Sequence, residues 1–337
     1  MAKRRLAITE ASTKDNRKDA EKGKVKAIAK PKQETIRPYQ KKRNNILSKF
    51  KVCTNKLIQH RKNPILVMFY CSEGEGKIFP WDLALLEKEF QHYCDCRRIS
   101  KIDKLDLIIY TRGGDANTSY RLAQLIRGYV NHLHVIIPEF AYSGGTLIAF
   151  AGNCVEMGVT SVLSPIDVQI TDNKDKGISL LGFEKFVEFI ADSSAVFHLE
   201  EQEKAHFATE LMKCLVEQAT PLELGEIYRL RSMTKYHAET LLANYMFGND
   251  ANKAAIIHNV IGAFTKNAPS HSFDMDYNLV KATGIKVKPM DSKTYKLSKS
   301  LIELCVKLAD EGLICKYPQA QLKVRAPYFG IFDRKDM

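Results

Sequence analysis

The chain lacks the segments that would place it in a membrane or send it out of the cell. It has no run of about 18 or more apolar residues, so no transmembrane helix is expected. Its basic start, Met1-Ala2-Lys3-Arg4-Arg5, is not followed by the apolar segment of a secretory signal peptide. None of the eight cysteines forms a CxxC pair, and 337 residues can build a core without disulfide bonds. These absences predict a cytoplasmic protein with reduced thiols.

The motifs of metal and nucleotide sites are missing as well. Cys94-Asp95-Cys96 lies near His92, but the second ligand pair of a zinc site is absent. The phosphate-loop pattern GxxxxGK(S/T) does not occur, so any unfolding motor that acts with this chain would be another protein. We therefore expect no metal and no cofactor.

Positive charge is concentrated at the N-terminal end. Residues 1–62 hold 20 Lys+Arg and 5 Asp+Glu, a balance of +15, whereas the remainder of the chain has a balance of −3. Residues 1–44 are poor in aromatics and rich in polar residues, which predicts a basic, disordered tail. Such a tail can bind an acidic protein, nucleic acid or an anionic membrane surface, or it can serve only as a solubilising leader.

Short apolar runs alternate with segments of helical periodicity after the tail. The runs are typical of buried strands and lie at residues 64–71, 105–110, 132–138 and 155–157. The helical segments lie at residues 45–62, 80–93, 119–130 and 143–151. This alternation predicts an α/β fold with a mainly parallel sheet, and the unbroken apolar strands indicate a sheet that is covered on both faces.

The second half of the chain is more helical. Helices are predicted at residues 183–190, 200–218, 238–247, 251–261 and 295–313, and the last twenty residues are predicted to be irregular. We therefore divide the chain into the tail (1–44), one main domain (45–290) and a C-terminal helical and irregular extension (291–337).

Two glycine pairs mark a candidate site inside the α/β region. Gly113-Gly114 directly follow a predicted strand, and Gly144-Gly145 follow Ser143 where a loop becomes a helix. Glycines let backbone N–H groups approach a substrate closely, and a helix start has unpaired N–H groups and a positive dipole end. Ser143 alone fits an ordinary N-cap. Its pairing with the earlier glycines favours a nucleophile beside oxyanion donors, as acyl transfer requires.

Three segments of the chain resemble a known family. They read DLIIYTRGG (106–114), AYSGGTLIA (141–149) and LSPIDVQ (163–169), with weaker matches at 269–271 and 282–287. Over roughly residues 60–290 the chain resembles the serine dehydrogenase proteinase family, soluble relatives of signal peptide peptidase A in the Clp protease/crotonase superfamily. It departs from the family at Arg112, where Pro is usual, and at Ser164, where Gly is usual.

The resemblance implies a Clp protease/crotonase-like ββα spiral with C-terminal helices, assembled into trimers, tetramers or hexamers. It also implies that Ser143 is the nucleophile of a serine peptidase. The N–H groups of Gly114 and Gly144 would form the oxyanion hole, and Gly113 would shape the turn. The expected substrate is a peptide or a partly unfolded protein.

The general base is less well defined by the sequence. No histidine follows the predicted serine helix until His198, so a Ser–Lys dyad fits better than a Ser–His–Asp triad. A lysine base must be neutral, and burial is what lowers its pKa. Lys185, in the apolar segment 180–187, is therefore the first candidate. The competing interpretation is a solvated lysine beside Glu184 and Glu188.

Four other residues are candidates for the base or for a supporting role. Lys174 and Lys176 flank a polar loop that would fold over the site. Asp167 lies in the Ser-Pro-Ile-Asp turn, where it would orient a base, cap a helix or hold an oligomer contact. His271 lies in a family-like loop and is the best histidine candidate for the base.

Two other functions remain open. One is a catalytically weak oligomeric scaffold that binds partners through the basic tail. The other is a crotonase-type acyl-CoA enzyme, which also uses paired backbone N–H groups. The second is less favoured, because a serine immediately before a glycine pair is needed by an acyl-enzyme mechanism and not by a crotonase.

Overall fold

The fold is described by a computed structural model that covers residues 38–71, 76–166, 169–171, 177–179, 182, 185–186, 188–189, 192, 200–218, 220–315 and 327–334. Its helices are α1 (Pro38–Arg61), α2 (Asp82–Arg97), α3 (Ala116–Tyr129), α4 (Gly144–Ala149), α5 (Glu201–Gln218), α6 (Pro221–Leu241), α7 (Lys253–Phe264), α8 (Tyr277–Ala282) and α9 (Ser292–Asp310). A π-helical segment, Leu242–Met246, continues α6. The strands are β1 (Ile65–Phe69), β2 (Ile102–Tyr110), β3 (Val130–Ile137), β4 (Phe140–Ala141), β5 (Cys154–Met157), β6 (Val162–Leu163), β7 (Gln169–Thr171), β8 (Gly177–Ser179), β9 (Val287–Pro289) and β10 (Tyr328–Phe332).

A six-stranded sheet organises the molecule, with the strand order β10-β1-β2-β3-β5-β9. All neighbouring strands are parallel except β10, which runs antiparallel to β1. The predicted α/β fold with a mainly parallel sheet is therefore confirmed. Because the strands are parallel, the loops that follow β2 and β3 lie at the same edge of the sheet.

The sheet is buried on both faces, as the unbroken apolar strands predict. In β1, Leu66 and Met68 belong to the hydrophobic cluster that contains α2 and α3. Ile65, Val67 and Phe69 belong to the cluster on the other face, with α1 and α9. Every residue of β1 is therefore buried, and no solvated face leaves an alternating pattern in the sequence.

Two sequence predictions need correction. Helix α6 begins at Pro221, far ahead of the helix predicted at 238–247. Its start is a capping box, in which Thr220 Oγ1 accepts a hydrogen bond from the Glu223 N–H and Glu223 Oε2 accepts one from the Thr220 N–H. The last twenty residues are not all irregular, because β10 pairs with β1. That pairing is long-range and leaves no local signal.

The main domain includes residues that the sequence-based division placed in the tail and in the C-terminal extension. Residues 38–44, placed in the tail, belong to α1. Helix α9 and strand β10, placed in the extension, complete the hydrophobic cluster and the sheet of the main domain. None of the helices among the described residues has both the length and the apolar character that a membrane span requires.

A buried ion network ties α1 to the sheet. Arg61, at the end of α1, donates to Asp106 Oδ2 at 2.6 Å and to both carboxylate oxygens of Glu156 at 2.8 and 2.7 Å. The Asp106 side chain is 0% exposed and that of Glu156 is 2% exposed. Burial opposes ionisation of Asp106, but hydrogen bonds from His134 and Arg61 outweigh it and lower its pKa. The network joins β2 and β5 across the intervening β3.

Replacing Arg61 by methionine is expected to lower the free energy of unfolding by about 3 kcal/mol, because it leaves two buried carboxylates without their main cation. The measurement is urea unfolding of the wild type and the variant. Arg229→Met is the matched control, since Arg229 forms a similar pair with Glu226 on the surface. It should leave the midpoint almost unchanged. Equal effects of the two substitutions would contradict the role given to the buried network.

Candidate active site

Two short parallel bridges hold the loop after β2, one to the segment before α2 and the other to β4. Ile78 pairs with Gly114, and Thr111 pairs with Ala141. The Ile78 N–H donates to Gly113 O at 2.8 Å, and the Asp115 N–H donates to Ile78 O at 3.0 Å. These bonds hold the Gly113-Gly114 turn against the segment before α2.

The glycines of both turns are required by sterics. Gly113 and Gly114 have φ of 89° and 148°, which side chains rarely adopt. A Cβ on Gly114 would overlap the backbone of Ile78, and a Cβ on Gly144 would overlap Ser119 Oγ. A Cβ on Gly113 would lie 2.6 Å from Tyr142 O. The absence of a side chain at Gly113 therefore lets the two turns approach each other, and its absence at Gly114 and Gly144 lets them pack against Ile78 and Ser119.

Ser143 sits in a strained turn between β4 and α4. Its φ of 49° and ψ of −108° are unusual for a residue with a side chain. Its side chain makes no capping hydrogen bond to α4, and its φ is not that of an N-cap residue. The ordinary N-cap interpretation is therefore excluded. A serine on a sharp strand-to-helix turn is the arrangement of a nucleophile elbow.

The strained turn is held by Ser164, in the loop after β6, and by Thr146 of α4. The Ser143 N–H donates to Ser164 Oγ at 2.8 Å. Thr146 Oγ1 lies 2.9 Å from both Ala141 O and Ser164 O, and it accepts from the Ser164 N–H at 3.2 Å. Ser164, a departure from the family pattern, thus provides a bond to Ser143 that a glycine there would not make.

Two backbone N–H groups at the Ser143 cavity have no partner among the described residues. The N–H groups of Gly114 and Gly144 donate no hydrogen bond within the described parts of the chain. The Gly113 N–H, by contrast, donates to Thr111 Oγ1 at 3.0 Å. Gly114, Gly144 and Ser143 all border one cavity. The roles predicted for Gly113 in the turn and for Gly114 and Gly144 as oxyanion donors stay predictions.

The cavity has a volume of about 360 Å³ and a mixed lining. Its apolar walls include Ile78, Phe79, Leu147, Ile166, Leu230 and Met233. Its charged lining residues are Lys77, Arg112 and Asp115. Helix α6 covers one side, through Leu230, Met233 and Thr234. The sequence analysis missed this wall because it missed most of α6, although the Thr-Pro-Leu-Glu capping-box pattern at 220–223 marks where the helix starts.

The other predicted site residues fall into three groups. His271 borders the same cavity as Ser143. Lys185 is 45% exposed and forms an ion pair with Glu188 at 2.7 Å, and it is not among the described residues that line the cavity. Asp167, Lys174 and Lys176 lie outside the described residues.

Asp82 anchors the segment that forms the cavity wall at Phe79. Its Oδ2 accepts hydrogen bonds from the Phe79 N–H at 2.8 Å and from the Tyr70 hydroxyl at 3.0 Å. Its Oδ1 is buried and accepts no hydrogen bond from the described residues. Burial raises the pKa of Asp82 to about 6, although both hydrogen bonds act in the opposite direction. Folding therefore shifts the Asp82 carboxyl toward its protonated form, relative to the unfolded chain.

Replacing Gly114 by alanine is expected to lower the free energy of unfolding by about 3 kcal/mol, because the new Cβ meets the Ile78 backbone in a strained conformation. The control is Gly128→Ala on α3, where a Cβ would meet no atom within 4 Å. That substitution should raise stability by up to about 1 kcal/mol, since alanine favours a helix. Both values come from urea unfolding, and equal small effects would contradict the steric account.

Asp82→Asn is expected to change how stability depends on pH. A carboxyl whose pKa is raised on folding stabilises the protein below its unfolded pKa of about 4, and this contribution is lost as pH rises through about 6. Asparagine does not titrate, so the variant should gain about 2 kcal/mol relative to the wild type between about pH 4 and pH 7. Urea unfolding at several pH values measures the difference. A difference that stays constant with pH would contradict the raised pKa.

Comparison with known proteins identifies similar chains. Two curated relatives are uncharacterized proteins of Methanocaldococcus jannaschii. The first, MJ0137, is 30% identical over 116 residues, which cover 34% of this chain and 41% of the relative. The second, MJ1495, is 42% identical over 66 residues, which cover 20% of this chain and 23% of the relative. The chain thus spans less than half the length of either relative.

Two solved structures are similar at low identity. One is a mutant of 1510-N, a membrane-bound stomatin-specific protease, at 12% identity and a TM-score of 0.26 over 39% of this chain and 64% of that one. The other is a mutant ClpP1 from Listeria monocytogenes, at 11% identity and a TM-score of 0.34. The match covers 74% of this chain and 99% of that one. Both scores are below 0.5, so neither likeness adds to the assignment.

The family model of the ClpP-like SDH-type serine proteinases matches residues 35–211, which is more than half of the chain and includes both glycine turns. The mainly parallel sheet, the glycine turns and the strained serine agree with this match. The chain belongs to the ClpP-like SDH-type serine proteinase family and has its ClpP-like α/β fold.

Proposed function

We propose that this protein is a serine peptidase that hydrolyses peptide bonds through an acyl-enzyme on Ser143. The observation that carries the proposal is the strained φ of Ser143 beside a cavity that Gly114 and Gly144 also border. A serine that only caps a helix needs neither the strain nor the two unbonded N–H groups. The family membership of the chain supports the same chemistry.

In the proposed reaction, Ser143 Oγ attacks the carbonyl carbon of the scissile bond while a general base removes its proton. The N–H groups of Gly114 and Gly144 stabilise the oxyanion, and one such donor typically contributes about 10²–10³ in rate. The protonated base then gives its proton to the leaving amine, and the acyl-enzyme forms. Water, activated by the same base, releases the acyl group and restores Ser143.

We assign the general base to Lys185. His271 is the alternative, because it already borders the cavity. A lysine accepts a proton only when its pKa is lowered by burial or by neighbouring charge. Lys185 must therefore leave Glu188 and become buried beside Ser143. His271 already borders the cavity and needs no such movement. Lys174 and Lys176 remain further candidates for the base, and Asp167 for a supporting role.

The remaining parts of the proposal concern the assembly and the surroundings of the enzyme. We propose a cytoplasmic homo-oligomer that acts on peptides or partly unfolded proteins without a metal or cofactor. The basic N-terminal segment is proposed to contact an acidic protein, nucleic acid or an anionic membrane surface, because it carries the charge excess of the chain.

A second candidate function is a catalytically weak scaffold of the same fold. One observation favours it. The first candidate base, Lys185, is paired with Glu188 and lies on the exposed surface. A chain that keeps this arrangement would lack a lysine base at Ser143 and would serve for assembly and partner binding.

The test is cleavage of a complex peptide mixture by the purified protein, with new termini identified by mass spectrometry. The wild type is expected to generate new termini, and Ser143→Ala to lose them by at least about 10³-fold, because the nucleophile is removed. Lys185→Ala should lose activity to a similar extent if it is the base. Lys213→Ala is its matched control, because Lys213 forms the same kind of exposed helical pair with Glu210.

The outcomes separate the candidates. Loss of cleavage in His271→Ala with retention in Lys185→Ala would move the role of base to His271. Cleavage that survives in Ser143→Ala would contradict the proposed nucleophile. Absence of cleavage by the wild-type oligomer would favour the scaffold.

A further inference from the structure

Two cationic side chains border the Ser143 cavity and have no acidic partner among the residues that the structure describes. Arg112 and Lys77 are both exposed, and neither forms an ion pair with any described residue. They lie on the two segments that the Ile78–Gly114 bridge joins, so both approach the cavity beside the proposed oxyanion hole. An unpaired cation at a cavity is free to pair with an anionic group on a ligand.

Arg112 directly precedes Gly113-Gly114 and borders the same cavity as Ser143. It lies between Thr111, which is fully buried, and Gly113. The buried side chain of Thr111 points into the fold, so the Arg112 side chain points outward, as alternate residues do in extended backbone. Arg112 is exposed and carries the positive charge nearest in sequence to the Gly113-Gly114 turn.

Among the described residues that line the cavity, Asp115 is the acidic one, and its Oδ1 is engaged. Asp115 Oδ1 accepts hydrogen bonds from the Thr118 N–H at 2.7 Å and from the Thr118 hydroxyl, as the cap of α3. Burial, and then the nearby Asp274, raise the pKa of Tyr142 to about 12. Asp274 is not among the described residues that border the cavity. In the described lining, two cations outnumber one carboxylate and the other walls are mostly apolar, so a substrate carboxylate would find its partners in the two cations.

We propose that this site prefers peptide substrates with an aspartate or glutamate next to the scissile bond, and that Arg112, assisted by Lys77, is the specificity-determining residue. The inference rests on the proposed function, since it names the substrate class of the same site. Arg112 pairs with the substrate carboxylate, and a lysine or arginine at that position is repelled. The apolar walls accept the neighbouring side chain of the substrate.

The size of the preference for an acidic substrate residue depends on how exposed Arg112 and Lys77 are to water. A single ion pair at an exposed site changes kcat/KM by roughly fivefold, and by more where the bound peptide excludes water. Because surface electrostatic effects are screened by salt, the preference should shrink as ionic strength rises from about 0.05 M to 0.5 M. A preference based on shape alone would not change with salt.

The experiment uses two synthetic peptides that differ only in carrying glutamate or lysine beside the scissile bond. Cleavage is measured with the wild type, Arg112→Glu, Arg112→Gln and Lys77→Glu. Lys101→Glu is the matched control, because Lys101 is also exposed and lies before the opposite end of β2. Binding of the same peptides to Ser143→Ala, with and without Arg112→Glu, is followed by fluorescence anisotropy, which needs no turnover.

The wild type is expected to cleave the glutamate peptide at least about fivefold better. Arg112→Gln should abolish the preference, Arg112→Glu should reverse it, Lys77→Glu should weaken it, and Lys101→Glu should leave it as in the wild type. Equal use of both peptides by the wild type, or an unchanged preference in Arg112→Glu, would overturn the inference. Tighter binding of the glutamate peptide to Ser143→Ala, together with no cleavage of either peptide by the wild type, would support the inference and contradict the proposed peptidase.

Discussion

The structure depends on the close approach of two backbone turns that only glycine permits. Gly113 lies against Tyr142 O and Ser143 Cβ of the other turn, so a side chain there would push the turns apart. Gly114 and Gly144 likewise pack against Ile78 and Ser119 without room for a side chain. The contact between the turns fixes the loop after β2 relative to the start of α4. It brings two N–H groups to the cavity that Ser143 borders. The arrangement of donors and serine is therefore a consequence of packing and is present before any ligand binds.

The strain in this region is maintained by the surrounding structure. A residue with a side chain keeps an unfavourable φ only where its neighbours over-determine it. Ser164 and Thr146 bond the turn around Ser143, and the turns themselves follow strands that are buried on both faces. At the level of the whole fold, Arg61 ties the first helix to β2 and β5. A rigid sheet thus supports a strained turn, and the turn presents the candidate nucleophile.

Sequence reasoning reached the features that leave a local pattern. Apolar runs and helical periodicity predicted the strands and helices of the α/β region, and the glycines beside Ser143 predicted the turns. Contacts between distant residues could not be predicted in this way. The Ser143 N–H and Ser164 Oγ are 21 residues apart in sequence, and β10 pairs with β1 from the far end of the chain. The start of helix α6 could have been predicted, because the capping-box pattern that begins at Thr220 is visible in the sequence. The apolar segment around Lys185 suggested burial, but Lys185 is exposed and pairs with Glu188. Whether a side chain is buried depends on distant parts of the chain that its own segment does not specify.

The central claim is that Ser143 is a preformed nucleophile, and covalent labelling tests it most directly. The purified wild type is incubated with a β-lactone, whose ring opens on a nucleophilic serine to leave an ester of the whole probe. Intact mass and peptide mapping then locate the adduct. The account predicts one adduct, on Ser143, that is absent from Ser143→Ala. An adduct on a different residue, or a wild type that stays unmodified while correctly folded, would contradict it.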